Sequence, residues 1–359
     1  MPLARGSTET IPIYYELSRA PESMGDILFF HGGPAFPRET LGDSELLWAV
    51  LRAHFNVLYF HQRGSGHSAR IERSEEIEGR RGQYTLDAVV DDATVLWKEL
   101  LSGRPVVAMG KSAGGFLALK FALAHPDGVA ALVLAATAAD HRYISERRRV
   151  KAEFLSSVAQ RHPGFAPAYA AALGMVGDKA DPAYAGPIAL LLSEETLESV
   201  LFDLSYTLSG QFEMVGLVRD LEAGRYDLLM TRLSRGQQTL RLSGMESLIV
   251  LNSISCRELG FGRDNPEACE GIQETDLYDV SARLGEVTAR TLVLSGRHDP
   301  VLPPSFQEVI ARGVSGPVVW KVLELSGHMI FQEQPNASAA AVLEFLSIPA
   351  QQPAQTPAL

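Results

Sequence analysis

The sequence has few cysteines and shows no secretory signal. Only two cysteines occur among 359 residues, Cys256 and Cys269. The N-terminal stretch MPLARGSTETIPIYYE has no basic start followed by an apolar segment, which a signal peptide would need. Two cysteines without such a signal are expected to be free thiols rather than a structural disulfide, and a cytoplasmic protein is expected.

Long basic runs and long apolar runs are also missing. The net charge is −11 at pH 7, and the longest basic run is Arg147–Arg149, which is too short for a nucleic-acid footprint. The longest nearly uninterrupted apolar stretch, 129–139, has 11 residues, whereas a membrane-spanning helix needs about 20. We therefore expect neither a nucleic-acid partner nor a membrane partner, and the oligomeric state is not predicted.

What the sequence does contain is a regular alternation of short apolar runs and helical patterns. The apolar runs are continuous rather than alternating, which is typical of strands buried on both faces of a parallel sheet. Segments with apolar residues at helical spacing separate them, and this predicts an α/β fold with a mostly parallel, doubly wound sheet. The predicted strands are 27–30, 56–60, 106–109, 131–136, 291–295 and 318–325.

The alternation stops near Asp140 and resumes near Asp276. The segment between them is almost wholly helical in pattern and has no linker composition. We therefore predict a core formed by 1–139 and 276–348, with a helical cap, or lid, inserted at 140–275. The terminal segment 349–359, rich in Pro, Gln and Ala, is predicted to be disordered.

The stretch AMGKSAGG at 108–115 admits two interpretations. A phosphate-binding loop of the form G-x-x-x-x-G-K-[ST] would need glycine at position 105, where the sequence has Pro105. A nucleophile elbow, G-x-S-x-G, needs Gly110 and Gly114 around Ser112, with a strand before and a helix after, and the sequence provides all of these. The pattern therefore favours a serine nucleophile at Ser112.

A serine nucleophile needs a base, and the base needs a group that orients it. After such an elbow the chain order is serine, acid, histidine. Asp299 follows the strand at 291–295, and His328 follows the last predicted strand. We predict these as acid and base; Asp140, after the strand at 131–136, is the alternative acid, and His298 is interpreted as a loop residue.

The tetrahedral intermediate also needs two donors for its oxyanion. One is the backbone N–H that follows the nucleophile, at Ala113. The other is expected from the loop HGGPA at 31–35, where Pro34 has no N–H and Gly33 is the best donor.

These residues together resemble the α/β-hydrolase superfamily, and more narrowly its prolyl-iminopeptidase-like branch. HGGPAF (31–36) resembles the HGGPG loop of that branch, and FHQRGSGHS (60–68) resembles its D-Q-R-G-x-G-x-S stretch. SGRHDPVLP (295–303) and SGHMIFQEQP (326–335) are similar to its acid and histidine loops. The resemblance implies the same roles for Ser112, Asp299, His328, Gly33 and Ala113.

The resemblance implies acyl transfer to water, without cofactor or metal, on a small-molecule or short-peptide substrate. It favours an aminopeptidase that removes an N-terminal residue. The elbow GKSAG and His61 depart from the branch's G-G-S-W-G and D-Q-R-G, and most of the cap has no match, so an esterase, lactonase, thioesterase or carbon–carbon bond hydrolase is the alternative. A ligand-binding module on an inactive scaffold is the third hypothesis. The cap glutamates Glu194, Glu195, Glu198 and Glu213 are available for a substrate amine, but on helices a solvated acidic face is the favoured explanation for them.

Overall fold

A computed structural model describes residues 10–33, 45–69, 79–170, 201, 204–223, 225, 227–229, 231–232, 245–263, 269–275 and 277–347. Within these ranges seven strands form one sheet. They are β1 (Tyr15–Ser18), β2 (Asp26–Phe30), β3 (Asn56–Phe60), β4 (Val106–Lys111), β5 (Val129–Ala135), β6 (Arg290–Gly296) and β7 (Val318–Leu323).

The order of the strands in the sheet is β1-β3-β2-β4-β5-β6-β7. Every neighbouring pair from β3 to β7 is parallel, and only β1 pairs antiparallel, with β3. The predicted α/β fold is confirmed, and each predicted strand is present. The pattern missed β1, because YELS is a partly exposed edge strand without an apolar run. The opposite edge strand, β7, is half-buried rather than buried on both faces as predicted.

Eight helices of two turns or more are described around this sheet. They are α1 (Glu45–His54), α2 (Leu86–Leu101), α3 (Ala113–Ala124), α4 (Arg142–Arg161), α5 (Leu208–Glu222), α6 (Met245–Glu258), α7 (Pro304–Gly313) and α8 (Pro335–Ser347). Shorter helical turns occupy Gly66–Ala69, Arg81–Gln83, Pro126–Gly128, Phe261–Arg263, Ser281–Glu286 and Ile330–Glu333.

The helices cover both faces of the sheet. Alternate residues of β2 point to opposite faces, so Leu28 and Phe30 join one apolar cluster and Ile27 and Phe29 join the other. The first cluster includes α2, α3 and α7, and the second includes α1 and α8. All four of these side chains are fully buried, and each contributes about 1.5–3 kcal/mol to the hydrophobic stabilisation of the core.

Helices α4, α5 and α6 lie between β5 and β6 in the chain. Residues of this region form a third apolar cluster of their own, which includes Phe165, Met214 and Leu217. A separate cluster is what an inserted cap needs, but the bounds 140–275 stay a prediction. Many positions between 171 and 276, and the terminal segment 349–359, lie outside the described residues.

Cys256 and Cys269 form a disulfide, with their Cα atoms 5.6 Å apart. The prediction of free thiols is therefore wrong. Cys256 lies near the end of α6, and the chain turns back within 13 residues to bring Cys269 beside it, which no feature of the composition indicates. Both residues are buried. Disulfides are uncommon in reducing compartments, so the cytoplasmic location stays a prediction.

The same end of α6 is bonded to the core. Both carboxylate oxygens of Glu258 accept the backbone N–H of Leu86, at 3.2 and 3.1 Å. Leu86 is the first residue of α2, where the N–H groups have no partner within the helix. Burial raises the pKa of Glu258 to about 7, against a smaller lowering by this hydrogen bond. No helix in the described ranges is long and apolar enough to cross a membrane.

Candidate active site

The order of the strands shows where a site should form. From β2 the chain passes to β3 on one side and then returns to β4 on the other side of β2. In an open parallel sheet, ligands bind beyond the carboxyl ends of the strands at such a switch point. The HGG stretch follows β2, and Ser112 follows β4, so the two predicted oxyanion segments begin at this crevice.

Ser112 lies in a sharp turn between β4 and α3. Its backbone has φ 54° and ψ −127°, a conformation that non-glycine residues rarely adopt. A Cβ on Gly110 would overlap the backbone of Gly114, and a Cβ on Gly114 would overlap the carbonyl oxygen of Phe30 and approach that of His31 to 2.6 Å. These contacts explain why the elbow has glycine two positions before and after the serine.

Ser112, His328 and Asp299 form one hydrogen-bonded chain. The Oγ of Ser112 lies 3.1 Å from Nε2 of His328, and Nδ1 of His328 lies 2.8 Å from Oδ2 of Asp299. His328 and Asp299 are 3% and 4% exposed, whereas Ser112 is half-buried. The structure therefore brings together three side chains that are up to 216 positions apart in the sequence.

The second oxygen of Asp299 is held by the backbone. Oδ1 accepts the N–H groups of Val301 and Leu302, at 2.8 and 2.9 Å. These two bonds fix the plane of the carboxylate, so that Oδ2 faces His328. The alternative acid, Asp140, instead pairs with the guanidinium of Arg142 at 2.6 Å.

The HGG segment is anchored through the ring of His31. Nε2 of His31 accepts the backbone N–H of Gln62 at 3.1 Å, and Nδ1 lies 3.0 Å from the carbonyl oxygen of Gly32. A backbone N–H can only donate, so Nδ1 is the protonated nitrogen and donates to Gly32. Gly33 has φ 48°, in the left-handed region that glycine tolerates. Pro34 lies outside the described residues.

The QRGSG stretch also has a structural anchor. Arg63 donates two hydrogen bonds to Asp92 on α2, at 2.8 and 2.7 Å, and one to the carbonyl oxygen of Gln83 at 3.1 Å. Both charged side chains are almost fully buried. This fork-like pairing fixes the loop that carries Gln62, and through Gln62 it supports His31.

Two residues near the site were not singled out by the sequence. The ring of Tyr206, in the predicted cap, packs edge-on against the imidazole of His328, with 5.2 Å between centroids. Lys111, next to Ser112, is buried, and its Nζ lies 3.9 Å from Sδ of Met329. The elbow motif leaves position 111 open, so the departure GKSAG was the one sign of Lys111. Tyr206 lies in a part of the predicted cap without a matching motif, and no feature of the sequence pointed to it.

One of the four glutamates predicted as candidates for a substrate amine lies in the described residues. It is Glu213, which forms an ion pair with Arg232; the other three lie outside the described residues. Among the described residues, no group of three or more His, Cys, Asp or Glu side chains could hold a metal ion.

Comparison with known proteins shows what this chain is similar to. Residues 27–174 match the sequence model of the α/β-hydrolase fold. A proline iminopeptidase of Saccharolobus solfataricus is 22% identical over 340 residues, which cover 94% of this chain and 89% of that protein.

Two solved structures share the fold. The proline iminopeptidase of Mycobacterium smegmatis superposes with a TM-score of 0.58 at 17% identity, covering 95% of this chain and 97% of the other. A thermophilic esterase of Thermogutta terrifontis superposes with a TM-score of 0.54 at 21% identity, covering 93% and 92%. At these identities the structures establish the fold alone. Taken with the sheet order, the comparisons show that the chain has the α/β-hydrolase fold, and in sequence it is similar to proline iminopeptidases.

Proposed function

We propose that the protein is a serine hydrolase that cleaves acyl bonds through Ser112, His328 and Asp299. The observation that carries this proposal is the continuous hydrogen-bonded chain from the Ser112 hydroxyl through the imidazole to the Asp299 carboxylate. Both distances lie within the range in which a base can take a proton from a nucleophile and an acid can orient that base.

Each member has one role in the proposed reaction. His328 takes the Ser112 proton as Oγ attacks the carbonyl carbon, and Asp299 stabilises the imidazolium that forms. His328 then gives this proton to the leaving group, and an acyl-enzyme remains on Ser112. A water molecule, deprotonated by His328, attacks the acyl carbon. The bond from this carbon to Oγ then breaks, His328 returns the proton to Ser112, and the acid is released. The steps balance without a cofactor.

We assign the oxyanion to the N–H groups of Gly33 and Ala113. Ala113 begins α3, so its N–H has no partner within the helix. Gly33 N–H belongs to the same peptide unit as Gly32 C=O, and in a trans peptide the two groups point in opposite directions. Because the Nδ1–H of His31 holds the Gly32 oxygen, the Gly33 N–H is directed away from that ring. The contact of Gly114 with Phe30 and His31 keeps this loop beside the elbow.

For the substrate, we propose the N-terminal residue of a short peptide. Support comes from the similarity to the S. solfataricus proline iminopeptidase, which covers nearly the whole of both chains. A peptide of this kind needs no nucleic-acid or membrane surface, in agreement with the scattered basic residues and the net charge of −11.

The second candidate is a small ester, thioester or lactone, or a carbon–carbon bond next to a carbonyl. A specific feature favours it: the elbow has Lys111 and Ala113 where the iminopeptidase-like branch has glycine and tryptophan. The buried Lys111 side chain lies beside Met329, the residue after the proposed base, and near the Phe331 ring.

A substrate panel separates the two candidates. Aminoacyl-naphthylamides and p-nitrophenyl esters are tested in parallel with the parent protein and with Ser112→Ala. We expect turnover of prolyl and other aminoacyl amides that Ser112→Ala abolishes. Turnover of esters with every amide inert would refute the peptidase assignment. Failure of a fluorophosphonate to label Ser112 would refute the serine-hydrolase proposal itself.

A further inference from the structure

We propose that Gln211 and Glu333 are positioning residues, which hold the loops of Asp299 and His328 against the first turn of cap helix α5. This inference rests on the proposed function of Ser112. Here the name "cap clamp" means the contacts of cap residues 205–211 with the acid loop and the histidine loop. Through the cap clamp, a segment of the cap helps to align the proposed base with the Ser112 hydroxyl.

The histidine loop is bonded to the backbone of Tyr206. The carbonyl oxygen of Tyr206 accepts the N–H of His328 at 2.8 Å and that of Met329 at 3.2 Å. Since the Tyr206 ring also packs against the imidazole, a displacement of this cap residue displaces His328 as well. A Cβ on Gly327 would approach the same carbonyl oxygen to 2.7 Å, which explains the glycine before the histidine.

Gln211 connects the cap to the acid loop. Its side-chain amide donates to the carbonyl oxygen of Ser205 at 3.1 Å and to that of His298 at 2.9 Å. His298 directly precedes Asp299, and its own N–H donates to Ser326 in the histidine loop at 2.9 Å. Gln211 is 5% exposed, so water cannot readily replace these bonds.

Glu333 connects the start of α5 to the histidine loop. Its Oε1 accepts the N–H of Leu208 at 2.5 Å, and its Oε2 accepts the N–H of Gly327 at 2.8 Å. Leu208 is the first residue of α5, and Thr207 caps the same turn by accepting the N–H of Gly210 at 3.0 Å. A carboxylate at this end of a helix also interacts favourably with the helix dipole.

One carboxylate and one amide therefore connect the cap to both loops. The base must stay within hydrogen-bonding distance of the Ser112 hydroxyl, and misplacement of a catalytic group by about 1 Å can cost about 100-fold in rate. Loss of either bridge is expected to slow chemistry at Ser112 without removing any group that touches the substrate.

The test uses the full chain and two variants. Gln211→Leu keeps the approximate volume and removes both donors. Glu333→Gln keeps one acceptor but turns an NH₂ group toward the second N–H. The matched control is Asp220→Asn, farther along the same helix, which breaks an ion pair with Arg225 inside the cap. The probe is a fluorophosphonate, and its second-order labelling rate at Ser112 is divided by the folded fraction measured by circular dichroism.

We expect the labelling rate per folded molecule to fall at least about 10-fold in both variants and to stay within about twofold in Asp220→Asn. With p-nitrophenyl acetate, kcat should fall while KM changes by less than about threefold, because substrate contacts are intact. The double variant should lose less than the product of the single losses, since both bridges hold the same loops.

Variants that melt earlier but label at the parent rate per folded molecule would show a structural role only, and would overturn the inference. If Gln211→Leu does not fold, the labelling rate per folded molecule of Glu333→Gln alone tests the inference. If the parent protein is not labelled at Ser112, the proposed function fails, whereas equal labelling of parent and variants refutes only the cap clamp.

Discussion

Replacement of Asp299 by asparagine tests the proposed reaction most sharply, because the structure determines how the new amide must lie. Oδ1 of Asp299 accepts two backbone N–H groups, from Val301 and Leu302, and Oδ2 faces Nδ1 of His328. In Asp299→Asn the amide oxygen must take the Oδ1 position. The NH₂ group then points at His328, and it can only donate.

The size of this preference follows from the hydrogen bonds. A flipped amide would place NH₂ against both backbone donors, and each buried hydrogen bond left unmade costs about 1–3 kcal/mol. The flipped form is therefore disfavoured by about 2 kcal/mol or more, which is a population ratio of about 30 or more. Nδ1 of His328 must accept from the amide, so its proton moves to Nε2, which then cannot take the proton of Ser112.

We expect Asp299→Asn to lower the rate of fluorophosphonate labelling at Ser112 by about 10⁴-fold, the cost of the wrong histidine tautomer in a Ser–His–Asp enzyme. Its free energy of unfolding should stay near that of the parent, because both backbone donors keep an acceptor. The matched control is Asp299→Ala, which leaves the N–H of Leu302 buried without its acceptor and should lower the free energy of unfolding by about 1–3 kcal/mol. An asparagine variant that keeps more than a tenth of the parent labelling rate would refute the role of Asp299.

Three further outcomes are expected. Ser112→Gly should abolish turnover yet raise the free energy of urea unfolding by about 1 kcal/mol, because glycine adopts φ 54° without strain; unchanged activity would exclude Ser112 as nucleophile. Gly114→Ala should lower that free energy by about 1–3 kcal/mol or more and slow labelling, since its Cβ would overlap the carbonyl oxygen of Phe30; normal stability and labelling would contradict the elbow packing. Burial raises the pKa of Glu258 from 4.5 to about 7, so the folded protein binds this proton more tightly than the unfolded chain does. The contribution of Glu258 to the free energy of unfolding therefore falls as the pH rises from about 4.5 through about 7. Glu258→Gln should therefore be more stable than the parent by up to about 3 kcal/mol near pH 8.5 but not near pH 4.5, and equal stability at both values in urea titrations would refute this effect of burial.

The sequence predicted the core well because its signals are local. Strands such as β2 and β4 are buried on both faces and read as continuous apolar runs. The elbow is recognisable because the backbone around Ser112 tolerates only glycine at two defined positions. Asp299 and His328 could be proposed because each follows a strand in the chain order of this fold, and the structure brings both to Ser112.

The parts that the sequence missed have no local signal. Strand β1 is short and partly exposed, so its pairing with β3 depends on the sheet and not on an apolar pattern. The disulfide depends on how α6 ends and where the following loop returns. Neither the number of cysteines nor their spacing distinguishes this arrangement from two separate thiols.

The cap clamp shows why the surroundings of a site are harder to predict than its central residues. Gln211 and His298 are 87 positions apart, and Leu208 and Glu333 are 125 apart. In each pair one partner contributes only a backbone C=O or N–H group. Every residue has a backbone C=O, and every residue except proline has a backbone N–H. Such a contact constrains one side chain and leaves the other position free, so no paired motif marks it in the sequence. The groups proposed to react are therefore identifiable from motifs, whereas the groups proposed to align them become visible only once the loops and the cap are placed in space.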